Sequence, residues 1–192
     1  LSGPPSVAEG ATTGNYTVSL SGVGLGAGQS VTFTLDSASG TATEGTDFSA
    51  LLAGGLTAAA GIVLTTSTGA GGVINVTATN TTAADLATGA ALLSFTIATT
   101  QDSVVEGPEN FTVTLGSATA TVTTPTITTS IIDNDTSSIA LSGPQTVGEG
   151  ATTSTYTVSL SGGVGLGAGQ SVTFTLDSAS GTATEGVDFS AL

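Results

Sequence analysis

The stretch LSGPPSVAEGATTGNYTVSLSG begins at Leu1, and LSGPQTVGEGATTSTYTVSLSGG begins at Leu141. The second copy runs on as VGLGAGQSVTFTLDSASGTATEGVDFSAL to Leu192, with a few substitutions and one added glycine in the Gly162, Gly163 pair. A chain that repeats itself in this way folds as an array of like units. One unit spans about 140 residues, an ordinary domain size. The expected organisation is one full repeat over 1–140, a junction at about 133–140, and the N-terminal portion of a second repeat over 141–192, incomplete in this chain.

Within the unit, large apolar residues alternate with Thr or Ser at Tyr16 to Leu20, Val31 to Leu35, Phe111 to Leu115 and Thr126 to Ile132. Period-2 alternation with β-branched residues is the pattern of half-buried strands. Shorter runs at Ile62 to Thr66, Val73 to Thr79 and Leu92 to Ala98 bring the count to at least seven. The expected fold class is therefore all-β, an antiparallel two-sheet sandwich of immunoglobulin-like type, tandemly repeated. Pro4, Pro5 and Pro125 sit where a strand edge tolerates a missing donor. VGLGAGQ reads as a hairpin connection, 81–91 as one short helical turn, and Asp36 with its copy Asp177 as turn acids ending a strand.

Charge narrows the chemistry. The 192 residues contain 14 Asp plus Glu and no Lys, Arg or His, for a net charge of -14. No side-chain salt bridge can form, so each carboxylate must face water, accept hydrogen bonds or bind a cation. Without His, Cys or Lys there is no ordinary general base near neutrality, no thiolate and no Schiff-base amine, and an enzyme is not expected. Phosphate is repelled, which excludes nucleic acid. Anionic membrane surfaces are disfavoured for the same reason, and no apolar run is long enough for membrane insertion by this segment.

The acids recur at loop positions: Glu9 in VAEG, Asp47 in GTDF, Asp102, Glu106 and Glu109 in DSVVEGPE, and Asp133 and Asp135 in DND. An oxygen-only set suits a hard cation, and the irregular spacing suits calcium better than magnesium. The order GTATEGTDF, DSVVEGPENFTVTL, SIIDND resembles the Calx-β repeat, a β-sandwich module of sodium–calcium exchangers, an integrin subunit and large bacterial surface proteins. The resemblance implies bound Ca2+ with ligands at Glu9, Asp102, Glu106, Glu109, Asp133 and Asp135, and at Glu149, the second copy's counterpart of Glu9. It also implies that Asp47 is a turn residue accepting backbone hydrogen bonds while Phe48 anchors the core. Gln101, Ser103 and Asn134 stand where acid-rich members carry carboxylates, which implies fewer or weaker ions. The span from Phe48 to Asp102 is long for the family, enough for an extra hairpin at roughly 60–80.

Glu44 and Asp85 read as turn acids capping backbone donors, and the sequons at Asn15, Asn75, Asn80, Asn110 and Asn134 arise readily in a Thr-rich β chain. A carboxylate pair for glycoside hydrolysis lacks an aromatic sugar platform, since the chain has no Trp. The expected function is a calcium-rigidified structural spacer of an extracellular adhesin or surface fibre, bacterial in origin, whose partners are neighbouring repeats of its own chain or identical chains, head to tail. A self-assembling filament joined by strand complementation and a calcium-responsive binding module are the alternatives.

Overall fold

The computed structural model describes residues 1–116 and 119–192. The first copy carries β1 (Ser6–Ala8), β2 (Tyr16–Ser19), β3 (Ser30–Ser39), β4 (Thr57–Ala58), β5 (Ile62–Thr68), β6 (Ile74–Asn80), β7 (Ala91–Phe95), β8 (Val104–Val105), β9 (Glu109–Gly116) and β10 (Thr126–Ile132). β11 (Ser138–Ser142), β12 (Thr157–Ser161) and β13 (Gly165–Leu166) follow. The four alternating runs and the three further ones all contain strands, the run from Leu92 only as far as Phe95, and β5 with β6 forms the expected extra hairpin, paired from Ile62↔Asn80 to Thr68↔Ile74.

Two sheets enclose the core. One has the order β1-β10-β9-β3-β6-β5 and the other β2-β7-β4. The alternation explains the layering, because residues two apart in a strand share a face. Val31, Phe33 and Leu35 of β3, and Phe111, Val113 and Leu115 of β9, are buried in this way. Tyr16 stacks on Phe95 with ring centroids 5.1 Å apart, and Phe48 on Phe111 at 4.4 Å. Tyr16 also reaches across the sandwich to the buried Thr129 hydroxyl, which donates in turn to Pro4 O at 2.8 Å. The polar end of an otherwise buried ring is thereby satisfied.

One pairing departs from the antiparallel expectation. β1 runs parallel to β10, with Val7 opposite Ile131 and Ala8 opposite Ile132. Both strands consequently leave the sheet at the same end, where Glu9 and Asp133 follow them.

Three local expectations are corrected. VGLGAGQ joins β2 to β3 across the two sheets and so is no hairpin. Asp36 lies inside β3 opposite Thr114, because β3 outruns its apolar stretch and changes partner, pairing β6 over 30–35 and β9 over 34–39. Residues 81–91 form no helical turn. The buried Asn80 amide donates to the carbonyls of Leu25, Gly26 and Ala84 while its oxygen accepts from the Thr82 amide and hydroxyl, and such side-chain competition favours turn over helix.

The second copy reproduces local structure but not the ladder. In the first, Ser37 Oγ donates to Glu44 Oε2 at 2.8 Å, the Glu44 amide to Ser39 Oγ at 2.8 Å, and the Leu51 amide to Ser37 Oγ at 2.9 Å. In the second, Ser178, Glu185, Ser180 and Leu192 repeat the set at 3.0, 2.7 and 3.0 Å. Residues 171–180, the counterpart of β3, are not a strand. The partners of β3 are β6 and β9, which lie in the part of the unit beyond the repeated stretch. Phe174 and Leu176 are accordingly 45% and 50% exposed, against 4% and 0% for Phe33 and Leu35.

Candidate metal centre

The parallel register of β1 and β10 builds the site. Continued by one step it brings Glu9 beside Asp133, and the Glu9 amide donates to Ile132 O at 2.9 Å. Glu9 lies two residues after buried Val7, Asp133 two after buried Ile131, and Glu109 two before buried Phe111. By strand parity each carboxylate belongs to the inward face of the sandwich, at the rim where the sheet ends. β9 contributes because Glu109 pairs with Ile131.

Two loops close over this rim. Asp47 precedes the core anchor Phe48, which bridges to Thr99, and the Thr100 amide donates to Asp47 O at 2.9 Å. The chain then turns through Asp102, whose amide donates to Glu9 Oε1 at 2.8 Å. The Asp102 side chain accepts the Val104 amide at 2.8 Å. The Glu106 amide donates to Asp133 Oδ2 at 2.7 Å, and the Asp135 amide to Asp133 Oδ1 at 2.8 Å. With no cationic side chain available, backbone N–H groups hold the carboxylates in place.

Glu9, Asp47, Asp102, Glu106, Glu109 and Asp133 line a cleft of ≈ 20 Å³ together with Thr46 and Thr100. That is room for one or two water-sized species, since each needs about 10–15 Å³ by this measure, and too little for an organic substrate. Glu9, Asp133 and Asp135 each offer an oxygen within 4.8 Å of the others. Ligands about 2.3–2.6 Å from one calcium ion are at most about 5 Å apart, so the spacing fits a shared ion. Glu9 Oε2 is buried and has no hydrogen-bond partner among the described residues. An enclosed anionic oxygen without a donor is costly unless a cation meets it.

Crowding marks the other two glutamates. Burial, and after it the charges of Asp102, Asp47, Asp133 and Glu9, raises the Glu106 carboxyl above the usual carboxylate range. Burial also raises Glu109, followed by the charges of Asp47 and Glu106, a hydrogen bond with Asp47 and the charge of Asp102.

Of the residues singled out in the sequence, Glu9, Asp102, Glu106, Glu109 and Asp133 meet in the cleft and Asp135 sits beside it. Glu149 is exposed and is not among the residues that line the cleft. Asp47 has the turn role expected of it, accepting the Thr43 amide at 2.6 Å, but it also lines the cleft. Its place just before Phe48, whose partner Thr99 leads to the acidic loop, was the available signal. Gln101 and Asn134 serve as scaffolding: Asn134 Nδ2 donates to Glu9 O at 3.1 Å and to Gln101 Oε1 at 2.9 Å. Glu44 and Asp85 are turn acids, Asp85 accepting the Ala27 amide at 2.9 Å.

The sequence profile of the Calx-beta domain matches residues 3–64, 86–136 and 133–192, which is most of the chain. The chain belongs to the Calx-beta family. The gap between the first two matches, 65–85, covers most of the β5–β6 hairpin, an elaboration of this Calx-beta repeat. Among solved structures it is similar to the crystal structure of CBD12 from CALX1.2, at 18% identity over 69% of this chain and 42% of that chain, TM-score 0.45. It is also similar to the calcium binding domain CBD12 of CALX1.1, at 18% identity over 68% and 42%, TM-score 0.44. A third similarity is to the apo-form Calx CBD1 domain, at 17% identity over 69% and 92%, TM-score 0.42. The match thus spans 42% of the length of the first two. No curated protein matches the chain.

Proposed function

We propose that this chain is a calcium-stabilised tandem-repeat module that serves as a structural spacer in an extracellular adhesin or surface fibre of a bacterium. The observation that carries the reading is the buried Oε2 of Glu9, without a hydrogen-bond partner among the described residues, in a residue that lines a cleft with five further carboxylates. Glu9, Asp133 and Asp135 would hold the ion as a group, with Asp102, Glu106, Glu109 and Asp47 supplying further oxygens. Bound calcium supplies positive charge that the chain lacks. Its effect is mechanical, since the held residues belong to the β1 and β10 ends, the 102–106 loop and the 133–135 segment leading into β11.

Ligation, and not catalysis, suits a carboxylate cleft in a chain without His, Cys or Lys. No helix among the described residues is long and apolar enough to cross a membrane. Absence of Lys and Arg removes every trypsin-type cleavage site, which suits exposure to proteases. Calorimetric titration of the metal-free chain with CaCl2 tests the proposal. Saturable binding is expected, with a dissociation constant of roughly 10⁻⁴ to 10⁻³ M, the range of extracellular modules. Absence of binding up to about ten times that concentration would overturn it.

The exposed apolar face of the second copy, with Phe174 and Leu176, favours one further reading, in which strands of an identical chain cover that face. Sedimentation distinguishes the two: concentration-dependent oligomers support strand exchange, and a monomer at all concentrations supports the spacer.

A further inference from the structure

The segment 23–26 lies in the connection from β2 to β3 and bridges at Leu25 to Leu86, in the connection from β6 to β7. The Leu25 amide donates to Leu86 O at 3.0 Å, and the Leu86 amide to Leu25 O at 2.9 Å. In extended backbone the N–H groups of adjacent residues point to opposite sides, so those of Gly24 and Gly26 face away from Leu86. Among the described residues neither of those two amides donates a hydrogen bond to protein. Their counterparts in the second copy, across the added glycine, are Gly165 and Gly167, with Leu166 between them.

There the opposite edge is engaged. The Gly165 amide donates to Ser103 O at 2.8 Å and the Gly167 amide to Val105 O at 2.8 Å. The register is parallel, Gly165 with Val104 and Leu166 with Val105, which makes β13 a strand added to the loop of the preceding repeat. The first copy displays one edge of the segment in use and the second copy displays the other. In extended backbone the two edges lie on opposite sides, so use of one leaves the other open.

We propose that this glycine-rich segment is a two-edged clip between repeats: its leucine ties it to its own repeat, and its two flanking glycine amides tie it to the Ser103–Val105 backbone of the repeat before. The Gly24 and Gly26 edge, unpaired among the described residues, is then a docking surface whose partner is the same loop of another copy of this repeat.

One glycine on each edge has a backbone oxygen close to where a Cβ would sit, Gly24 on the leucine edge and Gly167 on the other, whereas Gly165 has room for one. A Cβ at Gly24 would lie 2.0 Å from Leu86 O, and one at Gly167 would lie 3.0 Å from Val105 O and 3.0 Å from Glu106 Cγ. Charge requires backbone recognition as well. Asp102 and Glu106 flank the loop, and the chain offers no cationic side chain to approach them. A bare edge of N–H donors approaches an anionic loop without adding charge of its own. The clip rests on backbone geometry and needs no ion, although the loop it grips also carries ligands of the proposed calcium site.

Amide exchange and couplings across hydrogen bonds, measured by NMR on the labelled 192-residue chain in calcium and in chelator, test it. Gly165 and Gly167 are expected to exchange at least about tenfold more slowly than Gly24 and Gly26, with couplings to the carbonyl carbons of Ser103 and Val105. Gly167→Val is expected to abolish the protection of Gly165 while β9 amides keep theirs. Four glycine amides exchanging alike, or Gly165 still protected in Gly167→Val, overturns the clip. Protection that persists while calcium fails to bind supports the clip and refutes the calcium reading.

Discussion

Glu9 has two oxygens in different circumstances. Oε1 accepts the Asp102 amide, while Oε2 is enclosed without a donor among the described residues. Glu9→Gln keeps the shape and gives the buried position a group able to donate to Asp133. Calcium affinity is expected to fall at least about tenfold, while the metal-free protein unfolds at the same or a higher denaturant concentration. A metal-free variant markedly less stable than the parent would assign Glu9 a purely structural role. The raised Glu106 and Glu109 carboxyls give a second residue-scale expectation. The folded state holds their protons more tightly than the unfolded chain, so their contribution is fully present below the ordinary carboxylate range and is lost as pH rises through the raised values. Denaturant melts of metal-free protein should show this decline, and Glu106→Gln/Glu109→Gln should flatten it. In saturating calcium the slope reverses, because the ion binds the deprotonated forms. At this scale the acids themselves were legible in the sequence, since carboxylates without counterions stand out. The second role of Asp47 was not, because one carboxylate can cap a turn with one oxygen and face a cleft with the other, and spacing along the chain does not reveal which.

Strands test how far sequence alone decides structure. Phe33 and Phe174 occupy the same context, SVTFTLDSASGTATEG, yet one is buried between sheets and the other is half exposed. Phe33→Ala should destabilise the fold by about 3–5 kcal/mol, whereas Phe174→Ala should cost below about 1 kcal/mol; paired urea melts measure both. The contrast identifies what period-2 alternation can and cannot deliver. It announced β3 correctly and announces 171–180 equally well, but a strand forms only where β6 and β9 supply ladder partners. The Ser, Glu and Asp hydrogen bonds around GTATEG, by contrast, appear in both copies because their partners are close in sequence. VGLGAGQ was misread as a hairpin for the complementary reason: glycines report backbone freedom, not which sheet the next strand joins. The parallel course of β1 beside β10 left no mark in the local pattern, and it is this pairing that places Glu9 next to Asp133.

The whole molecule is organised around a deficit of positive charge. Half of its 14 acids, Glu9, Asp47, Asp102, Glu106, Glu109, Asp133 and Asp135, gather at the end of the sandwich from which the chain leads into the second copy. Repetition and composition made the architecture and the cation legible, while the assembly of the cleft required tertiary pairing between residues more than a hundred positions apart. Thermal unfolding of the 192-residue chain in excess calcium and after its removal is the most direct test. An ion that binds only the folded state contributes about 2.7 kcal/mol at one hundred times its dissociation constant, which predicts a rise in Tm of about 5–10 °C for a domain of this size. Identical melting curves in the two conditions would contradict the account.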